Sequence, residues 1–277
     1  MSAALVSFGR PWRVAGHLLC LALCLSVVAP LMLVLGTAFK PANEIYDLTP
    51  WPREPTLANF EKLWTGTEFA IYLWNSVATT FLRVVGQLAI AVLAAYAFAR
   101  WRFAGSTLVF ALTLGAMMIP HQLVMIPIYI MIAELDWFDT WAALVIPNLA
   151  MPFAVFLLRQ HMLSFPKDLL DAAEMDGAGP LTALWRVMLP NLGPALAALT
   201  IVLSIDCWNE YFWPLLVTDT PGARTVQIGI RQFLEENFED FGALMAGVTV
   251  ASLPVLAVFF VLQRRIMETF VASGLKG

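Results

Sequence analysis

Three fully charged side chains stand inside otherwise uncharged apolar runs of this sequence: Arg83, Asp206 and Glu210. A charge at the centre of a lipid-facing helix costs about 2.5–3.5 kcal/mol on insertion scales, so each is expected to face protein or water. Asp206 and Glu210 are four residues apart, which on an unbroken helix places them on one face. Trp208 and Trp213 flank them, and Asn209 falls on a neighbouring face. Acids and amides beside aromatic rings are the groups that bind a sugar, so Asp206, Trp208, Asn209 and Glu210 are candidates for lining a solute pathway. Asn148 and Gln122 are secondary candidates, and His121 reads as a helix-packing residue. The same charges also suit a structural pair that locks helices together, and the two readings are compatible. Arg83 sits eight residues into its run, about 12 Å below the outer boundary at roughly 1.5 Å per residue, while Asp206 falls about 9 Å and Glu210 about 3 Å below it. Asp206 is therefore the expected partner of Arg83.

Other chemistry is absent from the pattern. Cys20 and Cys24 lie one turn apart and Cys207 far from both, which leaves no external pair for a disulfide framework. His17, His121 and His161 are scattered without ligand spacing to thiols or carboxylates, so no metal site is expected. The chain contains no Walker sequence, no G-x-S-x-G and no H-E-x-x-H. Catalysis and a cofactor of its own are accordingly not expected.

The elements that must position these residues are transmembrane. Hydrophobic residues make up 60% of the chain and charged ones 13%, where a soluble domain carries about a quarter charged residues. A hydrocarbon core about 30 Å thick needs roughly 20 apolar residues per helical span. Uncharged runs at 14–39, 103–133, 140–158, 187–205 and 241–263, with a sixth at 69–100 broken only by Arg83, predict six transmembrane helices. They are placed at His17–Phe39, Asn75–Ala99, Thr107–Ala133, Trp141–Gln160, Leu192–Val217 and Phe241–Leu262. Barrel strands would alternate instead of running continuously apolar. The first run exceeds the 7–15 residues of a signal-peptide core and is expected to stay as an anchor. Pro120, Pro127, Pro147 and Pro152 suit either ordinary kinks or a broken-helix pathway.

Basic residues orient the spans. Arg10, Arg13, Arg100, Arg102, Arg159, Lys167, Arg186, Arg264, Arg265 and Lys276 fall on one side, against Lys40, Arg53, Lys62, Arg224 and Arg231 on the other. The bias places both termini in the cytoplasm. Acid clusters at Glu134/Asp136/Asp139 and Glu235/Glu236/Glu239/Asp240 fall outside, and the net charge of −4 speaks for no nucleic-acid partner. Three regions are expected: 1–68 with a cytoplasmic segment, the first helix and an external loop; a five-helix domain over 69–262; and a cytoplasmic tail over 263–277. Prolines 41, 50, 52 and 55 argue for an extended loop, within which Leu57–Trp64 suits a short amphipathic helix.

Between the fourth and fifth spans the sequence runs Phe165-Pro166-Lys167-Asp168-Leu169-Leu170-Asp171-Ala172-Ala173-Glu174-Met175-Asp176-Gly177-Ala178-Gly179-Pro180 and on to Leu189-Pro190. Pro166 and Pro180 suit helix starts, and Gly177 and Gly179 permit a sharp turn. Leu181, Leu184, Trp185, Met188 and Leu189 recur at helical spacing as one apolar face. Two short helices meeting at a glycine bend make a knob able to dock in a partner's groove.

This segment resembles the cytoplasmic signature E-A-A-x-x-D-G-A, followed by L-P, of permease subunits of binding-protein-dependent ABC importers, with Asp171 in place of glutamate. The resemblance implies an all-α type I importer permease fold with a cytoplasmic coupling helix between spans four and five. It gives Asp171, Ala172, Ala173, Asp176, Gly177, Ala178 and Gly179 the ATPase-coupling role. It implies as partners a second, non-identical permease, two ATPase subunits carrying ATP and Mg, an extracytoplasmic solute-binding protein and lipid, in a bacterial inner membrane. Met118-Ile119-Pro120, Leu157-Leu158-Arg159-Gln160, Trp208 through Leu216 and Leu253-Pro254-Val255 are similar to the branch importing sugars, oligosaccharides, polyols and glycerol-phosphate compounds, in particular to the six-span second permease of the maltose system. The end Gly274-Leu275-Lys276-Gly277 is similar to a shortened form of that family's tail. The rival from another class is a secondary transporter driven by an ion gradient, which would use the intramembrane charges but leaves the glycine-bent loop without a role.

Overall fold

A computed structural model describes residues 10–236 and 240–274, with side chains over 14–234 and 240–264. The tail residues 275–277 and the acids 235, 236 and 239 singled out from the sequence lie outside the described side chains. Among the described residues every regular element is helical. The chain divides into two compact units, one of residues up to 67 with 232–250, the other of 68–231 with residues from 251 on.

In the first unit, α1 (Arg10–Ala38) exposes its apolar side chains from Val14 to Leu33. Its carboxyl end enters a folded segment, not an extended loop. Lys40 is 1% exposed and donates from Nζ to the Asp47 carbonyl at 2.6 Å. Glu44 accepts the Arg53 N–H at 3.0 Å. In α2 (Ala58–Gly66), buried Asn59 donates to the carbonyls of Ala38 and Lys40 at 2.9 and 2.8 Å, so one amide closes the end of α1. Backbone packing is tight here: a Cβ on Gly36 would lie 1.9 Å from the Pro50 carbonyl oxygen.

The second unit is built on α3 (Phe69–Arg100), whose ends coincide with the uncharged run interrupted by Arg83. At 32 residues it extends about 48 Å, more than a bilayer core requires. After it come α4 (Ser106–Ala116), α5 (His121–Glu134), α6 (Trp141–Val145) with a 3₁₀ turn to Asn148, α7 (Pro152–Leu163), α8 (Lys167–Met175) and α9 (Pro180–Ala183). A π turn over Leu184–Met188 leads to α10 (Leu189–Asn191), α11 (Gly193–Asn209) and α12 (Phe212–Val217), followed by α13 (Val226–Glu236) and α14 (Phe241–Gly274), whose residues 232–236 and 241–250 are counted in the first unit. The apolar core joins α3, α7 and α11 through residues such as Ala91, Ala95, Leu158, Leu184, Leu199 and Leu203. A smaller core joins α5, α6 and α12 around Trp213.

Among the described residues three helices are long and apolar enough to cross a membrane: 14–38, 69–100 and 241–264. The remaining apolar lengths are bent pairs, at 98° between α4 and α5, 44° between Trp141–Asn148 and α7, and 79° between Pro180–Asn191 and α11. Three expectations therefore change. Trp141–Gln160 is not one helix, because the chain leaves the helix after Asn148 and is extended at Met151 before α7 begins. Thr107–Ala133 is not one helix, because Pro120 cannot continue the ladder and Met117–Pro120 turns the chain. Leu192–Val217 is not one helix either: α11 stops at Asn209, Glu210 is extended at ψ 122°, and α12 begins beyond Tyr211.

Each proline break frees a carbonyl that an apolar interior cannot leave unpaired. Pro147 has no N–H to offer the Ala143 carbonyl four residues back, and the indole N–H of Trp213 donates to it at 2.8 Å. The helix also ends at Asn148, with Met151 extended before Pro152 opens α7, and the Gln87 amide donates to the Asn148 carbonyl left at that break at 2.7 Å. Both donors are buried. We expect Trp213→Phe and Gln87→Leu, which keep most of the buried volume, each to cost about 1–3 kcal/mol. Unfolding of the purified protein in detergent measures this; unchanged stability in both variants would show that the carbonyls find other donors.

Candidate functional site

The loop between α7 and α9 is built as a capped knob. Helix α8 begins after Pro166 and is anchored by Leu170, which is 4% exposed. At its carboxyl end Gly177 adopts φ +81°, a left-handed conformation that costs residues with a Cβ roughly 1–2 kcal/mol. There the Gly177 N–H donates to the Glu174 carbonyl at 3.0 Å and the Ala178 N–H to the Ala173 carbonyl at 2.9 Å. These two bonds form a Schellman cap, which satisfies the last carbonyls and turns the chain sharply. Gly179 then precedes Pro180, which opens α9.

The predicted single apolar face beyond that bend is divided. Leu184 and Met188 are buried, whereas Leu181 and Trp185 are exposed. The π turn adds a residue per turn, so 3.6-residue spacing no longer keeps these side chains together. On the knob itself Asp171, Ala172, Asp176 and Gly179 are exposed, Ala173 and Ala178 are half-buried, and Met175 is 88% exposed. The knob is fastened to the end of α3. Arg100 bonds Glu174 and lies 3.7 Å from Asp171, and the Tyr96 hydroxyl donates to the Pro180 carbonyl at 3.1 Å.

Further along α3, Asn75, Thr79, Arg83 and Gln87 recur every fourth residue and are all buried, with Ser76 beside them. Sequence reasoning isolated Arg83 and missed its row, although the i, i+4 repeat of polar residues within an apolar run was visible. Asn75 donates to the carbonyls of Pro221 and Arg224, both at 3.0 Å, and accepts the Trp141 indole N–H at 3.2 Å. Ser76 accepts the Val226 N–H at 2.7 Å. Arg83 Nη2 lies 3.6 Å from Asp206 Oδ2, the arginine side chain 8% exposed and the aspartate 54%.

Glu210 does not share a helix face with Asp206, because α11 has ended; its Oε1 accepts the Trp213 N–H at 3.4 Å at the start of α12. Arg83, Glu210, Thr79, Cys207, Trp213 and Thr225 line a cavity of about 20 Å³, room for about one water. Arg83 Nε and Thr225 Oγ1 are buried without a hydrogen-bond partner. Asp206 and Asn209 are exposed, Asn209 accepting from Gln227 at 3.4 Å, whereas Trp208 is buried. Asn148 is buried beneath Gln87, and Gln122 and His121 are exposed at the start of α5; neither Asn148 nor Gln122 lines this cavity. Among the described residues no group of three His, Cys, Asp or Glu is placed to hold a metal.

A polar clasp closes the loop after α5. Asp139, at φ +60°, accepts the N–H groups of Asp219 and Thr220 at 2.9 and 3.0 Å and the Thr220 hydroxyl. Burial disfavours its charged form, but these bonds and nearby Arg224 outweigh it and hold the carboxyl below the ordinary aspartate range.

Two outcomes follow from this geometry. Alanine at Arg83 and at Asp206 should each destabilise the protein, and the double variant should lose less than the two effects added, by about 0.5–3 kcal/mol; strict additivity in thermal unfolding would show that the pair is not coupled. For Asp139 the folded value is depressed, so its contribution is present above the ordinary aspartate range and is lost as pH falls through the folded value. Asp139→Asn should thus lower the melting temperature at neutral pH and converge with the parent in acid; a pH-independent gap would count against the clasp.

Residues 87–268 match the family described as binding-protein-dependent transport system inner membrane component. The chain is 34% identical over 252 residues to a putative ABC transporter permease protein of Caldicellulosiruptor sp., covering 90% of this chain and 91% of that one. It is 32% identical, over 90% and 91% of the two chains, to an arabinooligosaccharides transport system permease protein of Halalkalibacterium halodurans. To an sn-glycerol-3-phosphate transport system permease protein of Yersinia enterocolitica it is 29% identical, over 93% and 95%. Its fold is that of a chain in a bacterial ABC transporter importing the acidic polysaccharide alginate, with a TM-score of 0.82, 22% identity, and 93% and 98% of the two chains covered. These relationships overturn the ion-gradient alternative. The chain belongs to the binding-protein-dependent transport system inner membrane component family, the permease subunits of ABC importers, which are not themselves enzymes.

Proposed function

We propose that this permease spans the membrane six times with both termini in the cytoplasm, each bent pair completing one span, and forms half of an import path beside a second, different permease. Two cytoplasmic ATPase subunits, which bind ATP and Mg, drive the path, and an extracytoplasmic binding protein delivers the solute. The solute class is a sugar, oligosaccharide, polyol or glycerol-phosphate compound; the arabinooligosaccharide and glycerol-3-phosphate permeases among the relatives support this choice. Asp206, Asn209 and Glu210 are the proposed pathway groups, with Arg83 holding Asp206 at the inner face of α3.

One observation supports the coupling role above others: an exposed, Schellman-capped knob at Asp171–Gly179 is fastened by Arg100 and Tyr96 to the same helix that carries Arg83. A push on α8 is thereby delivered to α3, a rigid rod reaching the polar row. Exposed Met175, Leu181 and Trp185 provide apolar surface for a groove on the ATPase.

The test is a substitution series at the bend. Gly177→Pro removes the N–H bonded to Glu174 and cannot adopt φ +81°, and Asp176→Lys reverses an exposed charge; both should leave the subunit in the membrane while abolishing uptake and weakening ATPase co-purification. Gly177→Asn, which tolerates the left-handed region, should retain substantial uptake. Normal transport by the proline variant would overturn the coupling reading.

A further inference from the structure

A cavity of about 600 Å³ opens where α3 ends, walled also by the start of α4 and by α7 and α8. Four cations line it, Arg100, Arg102, Arg159 and Lys167, and no carboxylate does. Their partners differ in a way that matters. Arg100 is engaged by Glu174 and Asp171. Arg159 donates from Nε to the Phe98 carbonyl at 3.3 Å and stacks on Phe110 at 4.1 Å, contacts that orient its guanidinium without neutralising it. Arg102 and Lys167 form no ion pair among the described residues.

The remaining wall adds donors of the same sign. Ser106 and Thr107 line the cavity and are the first residues of the eleven-residue α4, whose amino end has no capping side chain. The Ser106 N–H is taken by the Phe103 carbonyl at 3.0 Å, but those of Thr107 and Leu108 lie in the same first turn at the positive end of the helix dipole, which suits a phosphate. Phe98, Leu163, Phe165 and Met188 make the other part of the wall apolar. Concentrated positive charge beside apolar surface fits an amphiphile with an anionic head.

We propose that this cavity binds a phosphate group, that of an anionic phospholipid in the inner leaflet. The placement in the inner leaflet rests on the orientation proposed above, whereas the phosphate chemistry does not. Arg102, Arg159 and Lys167 hold the phosphate oxygens, Ser106 and Thr107 donate from the opposite wall, and acyl chains leave along the apolar side. Arg100 is common to this site and to the carboxylates of α8, so an occupied cavity steadies the knob from behind.

The experiment uses the full importer complex in nanodiscs of phosphatidylcholine, alone or with phosphatidylglycerol, read by native mass spectrometry for retained lipid and by thermal unfolding. The parent should retain phosphatidylglycerol and melt higher with it. The double variant Arg102→Gln/Lys167→Gln, both exposed positions, should retain it less by on the order of tenfold and lose the melting shift. Inorganic phosphate added to phosphatidylcholine discs is the second arm. If it alone raises the parent's melting temperature and not the variant's, the phosphate site stands and its occupant is a soluble phosphate. Equal lipid retention by parent and variant, or no effect of either phosphate source, overturns the proposal. The Gly177 series reports on coupling alone, so either result leaves the other interpretable.

Discussion

A backbone carbonyl without a donor is the cost that governs this structure. In hydrocarbon no water is at hand, and each proline inside an apolar run withholds the N–H that the carbonyl four residues back would have received. The chain answers with buried side chains from other elements: Trp213 from α12 for the break at Pro147 and Gln87 from α3 for the helix end at Asn148. Those answers fix which helices are neighbours. The α6–α7 bend is held between α3 and α12, and the small core around Trp213 assembles where the indole must sit to reach Ala143.

Helix α3 then carries a row of buried polar side chains that several other segments reach. Its buried row, Asn75 to Gln87, receives the segment 221–226, the bend at Asn148 and the aspartate of α11, while its carboxyl end grips the knob. A buried arginine is costly, and its pairing with a half-open aspartate recovers only part of that cost. Such a pair is a poor device for stability alone and a good one for a helix that has to change neighbours without ever exposing a lone charge to lipid. In the proposed mechanism that helix is the lever between ATPase and pathway.

Much of this was legible from residue order where a single local rule governs. The run from Phe69 to Arg100, broken only by Arg83, marks α3, although the span placed at Asn75–Ala99 starts later than the helix does, because bilayer thickness says nothing of turns beyond the lipid. Gly177 marks the bend because φ +81° costs most residues that carry a Cβ, and glycine nothing. Reading failed where the cause lies across the fold. The stop of α11 at Asn209 depends on α12 turning to bring Trp213 to α6, and it parts Glu210 from Asp206 despite ideal helical spacing. Lys40 reads as an ordinary loop residue and Asn59 as part of a short amphipathic helix, and neither shows its role until the backbone it bonds is in place. The π turn defeated the expected apolar face because it alters the period that the pattern assumes.

The polar row on α3 also has a consequence in time. Gln87 waits for Asn148, 61 residues later, and Ser76 waits for Val226, 150 residues later. At roughly 5–20 residues per second of synthesis, the second wait lasts about 8–30 s. Within that interval Gln87 and Arg83 gain their partners earlier, at Asn148 and Asp206, and the Thr79 hydroxyl is bonded inside α3 to the Asn75 carbonyl, which leaves Asn75 and Ser76 as the groups that wait longest. Asn75 and Ser76 can therefore gain these partners only after α11 and the segment that follows it have been made.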